Sequence, residues 1–144
     1  MSAYTKLACA LCLAAATVAG PSFAQDAQGA HISIELNALE PIEGACRISF
    51  LVQNGHPTDI EQAVYEAVLF DTEGRVDRLT LFDFGALPSA RPRVRQFTLT
   101  GLACAGLGRL LVNGAETCTG DGIPAAACTD GLELRSRTDV EVLG

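Results

Sequence analysis

The stretch Ala45-Cys46-Arg47-Ile48-Ser49-Phe50-Leu51-Val52-Gln53-Asn54 decides how the rest of the chain is read. Cys46, Ile48, Phe50 and Val52 alternate with Arg47, Ser49 and Gln53, and Leu51 alone breaks the pattern. A period of two marks a strand with one face in a core and the other in water. It also aims Cys46 inward, so any cysteine that pairs with it must reach the same core.

The segments around this strand repeat its grammar. Upstream, Ile32, Ile34, Leu36 and Ala38 alternate with polar residues from His31 to Glu40, and Pro41 is expected to end the strand because it has no N–H to give a ladder. Downstream, after the polar break Gly55–Asp59, comes Ile60–Asp71. Ala63, Tyr65, Ala67 and Leu69 share one face, and Val64, Glu66, Val68 and Phe70 the other. Alanine and glutamate would also suit a helix. The recurrence of Val, Tyr and Phe, followed by the turn Asp71-Thr72-Glu73-Gly74, favours a strand and hairpin. That tetrapeptide lacks the further oxygen ligands of a calcium loop. Further strands are expected over Arg75–Phe84, Arg93–Thr100, Leu107–Asn113 and Leu132–Val142, with a long loop from Gly114 to Asp130.

About seven short strands separated by turn signals, with no amphipathic helix of useful length, imply an all-β fold. The expected architecture is a two-layer antiparallel β-sandwich, immunoglobulin- or fibronectin-III-like; a small closed barrel is the alternative. The absence of tryptophan excludes the antibody type with its buried Trp.

The beginning of the chain reads differently. Lys6 precedes an almost unbroken apolar run from Leu7 to Gly20, then Pro21 and Ser22-Phe23-Ala24. A basic start, a short apolar stretch and a small-x-small end describe a secretory signal peptide, residues 1–24, cleaved after Ala24. The run is too short to span a bilayer comfortably, so no stable membrane insertion is expected after cleavage. Residues 25–30 read as a flexible lead, and 31–144 as one sandwich domain in the periplasm or outside the cell.

All seventeen acidic residues lie beyond Ala24, where there are nine arginines and no lysine; the whole chain has a formal net charge of −7. Such a surface disfavours nucleic acid, which needs clustered positive charge. Four cysteines remain there, Cys46, Cys104, Cys118 and Cys128, and an even number in an exported small domain reads as disulfides. Of the three pairings, Cys118–Cys128 would close a short Gly/Pro-containing loop and Cys46–Cys104 would tie distant strands through the core. Their spacings fit no zinc template.

The segment Val68-Leu69-Phe70-Asp71-Thr72-Glu73-Gly74, with Leu87-Pro88 and a strand containing Phe97, resembles the small secreted bacterial immunoglobulin-like domains named for a Phe-x-Leu-Tyr-Asp signature. Leu69 and Asp71 match; Ala67 stands where the first Phe would be, and Phe70 replaces Tyr. The resemblance covers Ala45–Thr100 and implies a sandwich without established catalytic activity. The Gly101-Leu102-Ala103-Cys104 corner looks like that of other small secreted proteins.

No catalytic set and no cofactor site emerges from the residues. His31 and His56 are the only imidazoles, and no Gly-x-Ser-x-Gly elbow accompanies them. Gly101–Gly108 lacks the Gly-Lys-Ser/Thr ending of a phosphate loop. No pair of carboxylates stands out for glycoside hydrolysis. The expected role is a binding or interaction module, or an accessory subunit of an envelope complex, with a small hydrolase as the less favoured reading. Two features could meet a partner, expected to be another envelope protein. Arg91, Arg93 and Arg95 share one side of an extended segment, where arginine forks could take carboxylates or simply guard an edge strand. Val64, Val68 and Phe70 form the surplus apolar face of the Ile60–Asp71 strand.

Overall fold

A computed structural model describes residues 29–144. The expected signal peptide, with its cleavage site, and the first part of the flexible lead lie outside the described residues. Among the described residues eight strands form two four-stranded sheets packed face to face. They are β1 (Ile32–Ile42), β2 (Ala45–Asn54), β3 (Ile60–Asp71), β4 (Val76–Leu87), β5 (Arg93–Thr100), β6 (Leu107–Thr119), β7 (Glu133–Ser136) and β8 (Glu141–Leu143). The first sheet has the order β5-β2-β1-β7 and the second β4-β3-β6-β8. The hairpins β1–β2 and β3–β4, with β2 against β5 and β3 against β6, give the Greek-key crossing of an immunoglobulin-like sandwich.

Alternation decides what lies between the sheets. Ile48, Phe50 and Val52 of β2 are buried, as are Ala63, Tyr65, Ala67 and Leu69 of β3 and Phe82 and Phe84 of β4. Phe50 is the joint of this layer. Its ring lies 5.2 Å from Phe82, 5.5 Å from Phe84 and 6.0 Å from Phe97, in tilted or edge-on geometries that aromatic quadrupoles favour. Ile60–Asp71 is a strand, with no helix.

The expected turn after β3 is built as its residues dictate. The Asp71 carboxylate accepts from the main-chain N–H groups of Glu73 and Arg75, each at 2.9 Å, and Gly74 takes the left-handed conformation at φ 79°. Gly108, at the start of β6, is required for another reason: a Cβ there would stand 2.3 Å from the Asp71 carbonyl oxygen.

The structure departs from the sequence reading in four places. Pro41 does not end β1, which runs to Ile42; β7 pairs only with Ser33–Leu36, so Pro41 lies on an uncovered edge where its missing N–H is tolerated. A register shift between Leu36 and Ala38 turns Ala38 outward and sets Leu39 against the core. β6 continues to Thr119, its second half laddered to Gln62–Glu66, so the long loop is shorter than expected. The last segment is two strands in opposite sheets: β7 pairs with β1 and β8 with β6, both in parallel. The sandwich is therefore antiparallel except at these two edge pairs. The polar run between them carries the chain across, with the Arg137 N–H donating to the Leu36 carbonyl at 2.9 Å.

Both expected disulfides are present. Cys46–Cys104 joins the start of β2 to the 3-10 turn before β6, with a Cα–Cα distance of 4.8 Å. Cys118–Cys128 fixes the loop after β6, with a Cα–Cα distance of 5.9 Å. Beneath that loop the buried Tyr65 hydroxyl donates to the Cys128 carbonyl at 2.7 Å, and burial pushes its pKa up. Asn54, a buried polar residue of β2, donates to the carbonyls of Thr58 and Leu87 and accepts from the His56 N–H, tying the two sheets together at this end. Among the described residues no helix is long and apolar enough to cross a membrane.

The two bridges close loops of different length, with sequence separations of 58 and 10. Chain entropy then makes removal of Cys46–Cys104 cost about 4 kcal/mol and of Cys118–Cys128 about 3 kcal/mol. Urea unfolding of the paired Cys→Ala variants should rank them in that order, with the gap widened by the core position of Cys46.

Among the described residues three carboxylates are held below their ordinary pKa. Asp71 is lowered by the Arg75 main-chain N–H and guanidinium, Glu35 by hydrogen bonds from Asn37 and Arg137, and Glu133 by Arg135 and His31. A depressed folded-state value stabilises the native protein above the ordinary carboxylate range and ceases to do so as pH falls through it. Thermal midpoints should therefore be flat from neutrality to about pH 5 and fall below about pH 4, with Asp71→Asn reducing the slope of that fall.

Candidate interaction surface

The two outer faces of the sandwich differ. On the first sheet, Arg47, Ser49 and Gln53 of β2 and Gln96 and Thr98 of β5 face outward, with Leu51 and Val94 as an isolated apolar pair. The second sheet carries a continuous apolar row. Val68 of β3 lies opposite Leu79 of β4 on one side and Leu111 of β6 on the other, and Leu111 lies opposite Leu143 of β8. The row therefore crosses all four strands. Phe70, opposite Val76, and Leu81 widen it, and Val64 stands further along β3. Leu79 is 60% exposed and Leu81 55%, whereas Val64, Val68, Phe70, Leu111 and Leu143 are half-buried by their neighbours.

This arrangement follows from alternation. From Ala63 to Leu69 the residues of β3 that build the core are odd-numbered, so the even-numbered set over that stretch points away from it. In β4, Phe82 and Phe84 take the inner face and leave Leu79 and Leu81 outside. Val64, Val68 and Phe70 were legible as a second apolar face from the sequence. Leu79, Leu81, Leu111 and Leu143 were not connected with them, because only the strand register brings them into one row.

Polar groups surround the row. Arg109 and Glu141 form an ion pair at 3.2 Å beside Phe70. Glu66, opposite Leu81, accepts a hydrogen bond from Asn113. Asp83, two residues beyond Leu81, accepts from Gln62 and from the Gly85 N–H. Among the described residues neither Glu66 nor Asp83 has a cationic partner.

The arginine triad is divided. Arg91 is exposed, and Arg93 donates to the neighbouring Pro92 carbonyl at 3.1 Å. Arg95 turns into the gap between the sheets, donating from Nε to the Phe84 carbonyl at 2.7 Å and from Nη2 to the Ala86 carbonyl at 3.1 Å. Arg78 of β4 makes the reverse connection, donating to the Thr100 carbonyl at the end of β5 at 2.8 Å. These two side chains clasp the edge strands β4 and β5 across the open side of the sandwich.

The histidines are also engaged. His31 contacts the Gly29 carbonyl at 2.7 Å and the Glu133 carboxylate at 3.4 Å, and the His56 Nε2 lies 2.8 Å from the Ala127 carbonyl. Both hold the segment after β6 rather than facing a shared cleft. Among the described residues no group of three or more His, Cys, Asp or Glu side chains is placed to hold a metal ion. Among the described residues, a concavity of about 680 Å³ is an open groove at the Cys104 end, lined by residues that include Leu39, Arg137 and Asp139. Arg137 there is paired to Glu35 at 2.7 Å.

Taken together, these features define a small disulfide-tied β-sandwich with one apolar outer face. No protein-family model matches the chain, and no curated protein matches it in sequence. Among solved structures, the chain is similar to IrmA from Escherichia coli, with a TM-score of 0.60 and 14% sequence identity, over 74% of this chain and 92% of that one. At that identity the likeness shows a shared fold.

The clasp separates structural from surface arginines. Arg95→Ala should destabilise the protein by about 1 kcal/mol, because two main-chain acceptors lose a charged donor. Arg91→Ala should leave chemical denaturation within about 0.5 kcal/mol of the parent.

Proposed function

We propose that the protein is an exported, non-catalytic binding module that takes a protein partner on the outer face of its second sheet. The observation that carries this reading is the apolar row Leu79–Val68–Leu111–Leu143, which spans the sheet without contributing to the core. Contiguous exposed apolar surface on a small domain marks an interaction site. Rimming polar groups such as Glu66, Asp83 and the Arg109–Glu141 pair are the usual surround of such a patch.

Export to an oxidising compartment, the periplasm or beyond, is supported by the two disulfides and by the signal-peptide pattern of residues 1–24. A partner in the same compartment, another envelope protein, follows from that placement. The proposed kinship with domains of the Phe-x-Leu-Tyr-Asp type rests on Leu69, which is core, and Asp71, which folds the turn.

The test is positional. A photoreactive benzoyl-phenylalanine at Leu79 should crosslink to one discrete species in cells exporting the protein, and Leu81→Glu in the same chain should abolish that band. The same group at Val94, equally exposed on the first sheet, should give none. Identical bands from both positions, or none from either, would overturn the reading.

A further inference from the structure

The second sheet ends on one side at β8, three residues long, and on the other at β4, twelve residues long. An edge strand of that length presents main-chain donors and acceptors that no neighbour satisfies. The two halves of β4 are finished differently. Along its C-terminal half, Arg95 occupies the carbonyls of Phe84 and Ala86. Along Val76–Phe82, among the described residues, no side chain occupies the main-chain carbonyls: the Arg78 guanidinium is drawn to the Thr100 carbonyl and to Asp77. This half contains no proline, and it carries the two most exposed leucines of the apolar row.

We propose that Val76–Phe82 is a strand-addition site, at which an extended segment of the partner pairs along the edge and makes the second sheet five-stranded. This rests on the reading of the outer face given above and specifies how the partner engages it. Unpaired main-chain groups in a row select an extended backbone. Leu79 and Leu81 select apolar side chains at two alternate positions, since successive residues of an added strand point to opposite faces. Asp83, and Glu66 behind it, carry charge without a cation and select a basic residue two positions beyond the second apolar one. The occupant is thus a segment of another protein that reads apolar-x-apolar-x-basic if it runs parallel to β4 and basic-x-apolar-x-apolar if it runs antiparallel.

In the register that sets the two leucines against each other, a second copy of this chain fits less well. Antiparallel pairing of two copies about Thr80 would set Leu79 against Leu81 but Asp77 against Asp83, twice, and like charges directly opposite each other are unfavourable. The Arg95 clasp limits the site from the other end, so the segment is short.

The probe is a fluorescein-labelled synthetic peptide with valines at two alternate positions, a lysine two residues beyond each, and threonine between. Fluorescence anisotropy should show saturable binding to the intact disulfide-bonded protein. N-methylation of alternate peptide amides is the deciding measurement. In one phase it should weaken binding roughly tenfold, because those N–H groups face β4; in the other phase it should change binding less than about twofold. The exposed substitutions Leu79→Glu and Leu81→Glu, with circular dichroism unchanged, should each weaken it as well. Peptide binding that is insensitive to methylation in both phases would overturn strand addition while leaving the outer face as a binding surface. Absence of binding at millimolar peptide would overturn strand addition outright, and the crosslink from position 79 would still decide the outer-face reading on its own.

Discussion

The contact of Phe50 with rings from both sheets is the constraint on which the rest of the structure depends. Phe50 belongs to the first sheet, and Phe82 and Phe84, at 5.2 and 5.5 Å, belong to the second. Phe97, from β5, closes the cluster against Phe82 at 4.7 Å. Large aromatic side chains carry much of the burial available to a domain of this size. Their positions therefore fix which residue of each strand faces in. A slip of one residue in β2 would turn Phe50 and Cys46 to solvent together and leave Cys104 without its partner.

That constraint gives meaning to the outward apolar residues. In a half-exposed sheet, the side not used by the core is expected to be polar. The first sheet largely obeys, with Arg47, Ser49, Gln53, Gln96 and Thr98 outside. The second does not. Val64, Val68 and Phe70 cannot serve as an alternative inner face, because Ala63, Tyr65, Ala67 and Leu69 already fill it. Their apolarity, joined to that of Leu79, Leu111 and Leu143, is therefore unexplained by folding and belongs to the surface.

Much of this was legible from single strands. The alternation of β2 and the turn at Asp71–Gly74 follow from local pattern, as does the spare apolar face of β3, and the two cysteine pairs that form are the ones favoured among three possible pairings. What escaped depends on partners distant in sequence. The register shift that exchanges Ala38 for Leu39 arises in the pairing of β1 with β2. Pro41 can stay in a strand only because β7 stops at Leu36, which nothing near Pro41 reveals. Leu132–Val142 reads as one strand because its apolar residues share a period, whereas Ser136 and Glu141 belong to different sheets. Arg95 resembled a free surface cation, and the backbone carbonyls that claim it lie on β4.

The covalent ties bear on binding as well as on stability. β6 carries Leu111, the central link of the apolar row, and it is fixed at both ends: Cys104 lies just before it and Cys118 within its last turns of the ladder. β3 is held beside it through a long antiparallel pairing, and the buried Tyr65 hydroxyl adds a bond to the segment that Cys128 anchors. The surface that would meet a partner is thus built on strands with little freedom left to lose. Ordering side chains and loops is among the main penalties of association, and a surface ordered beforehand avoids much of it. Rigidity in β3 and β6, with an unpaired main chain along the first half of β4, divides the work: the fixed strands present the apolar row, and the open edge remains to be completed by whatever binds.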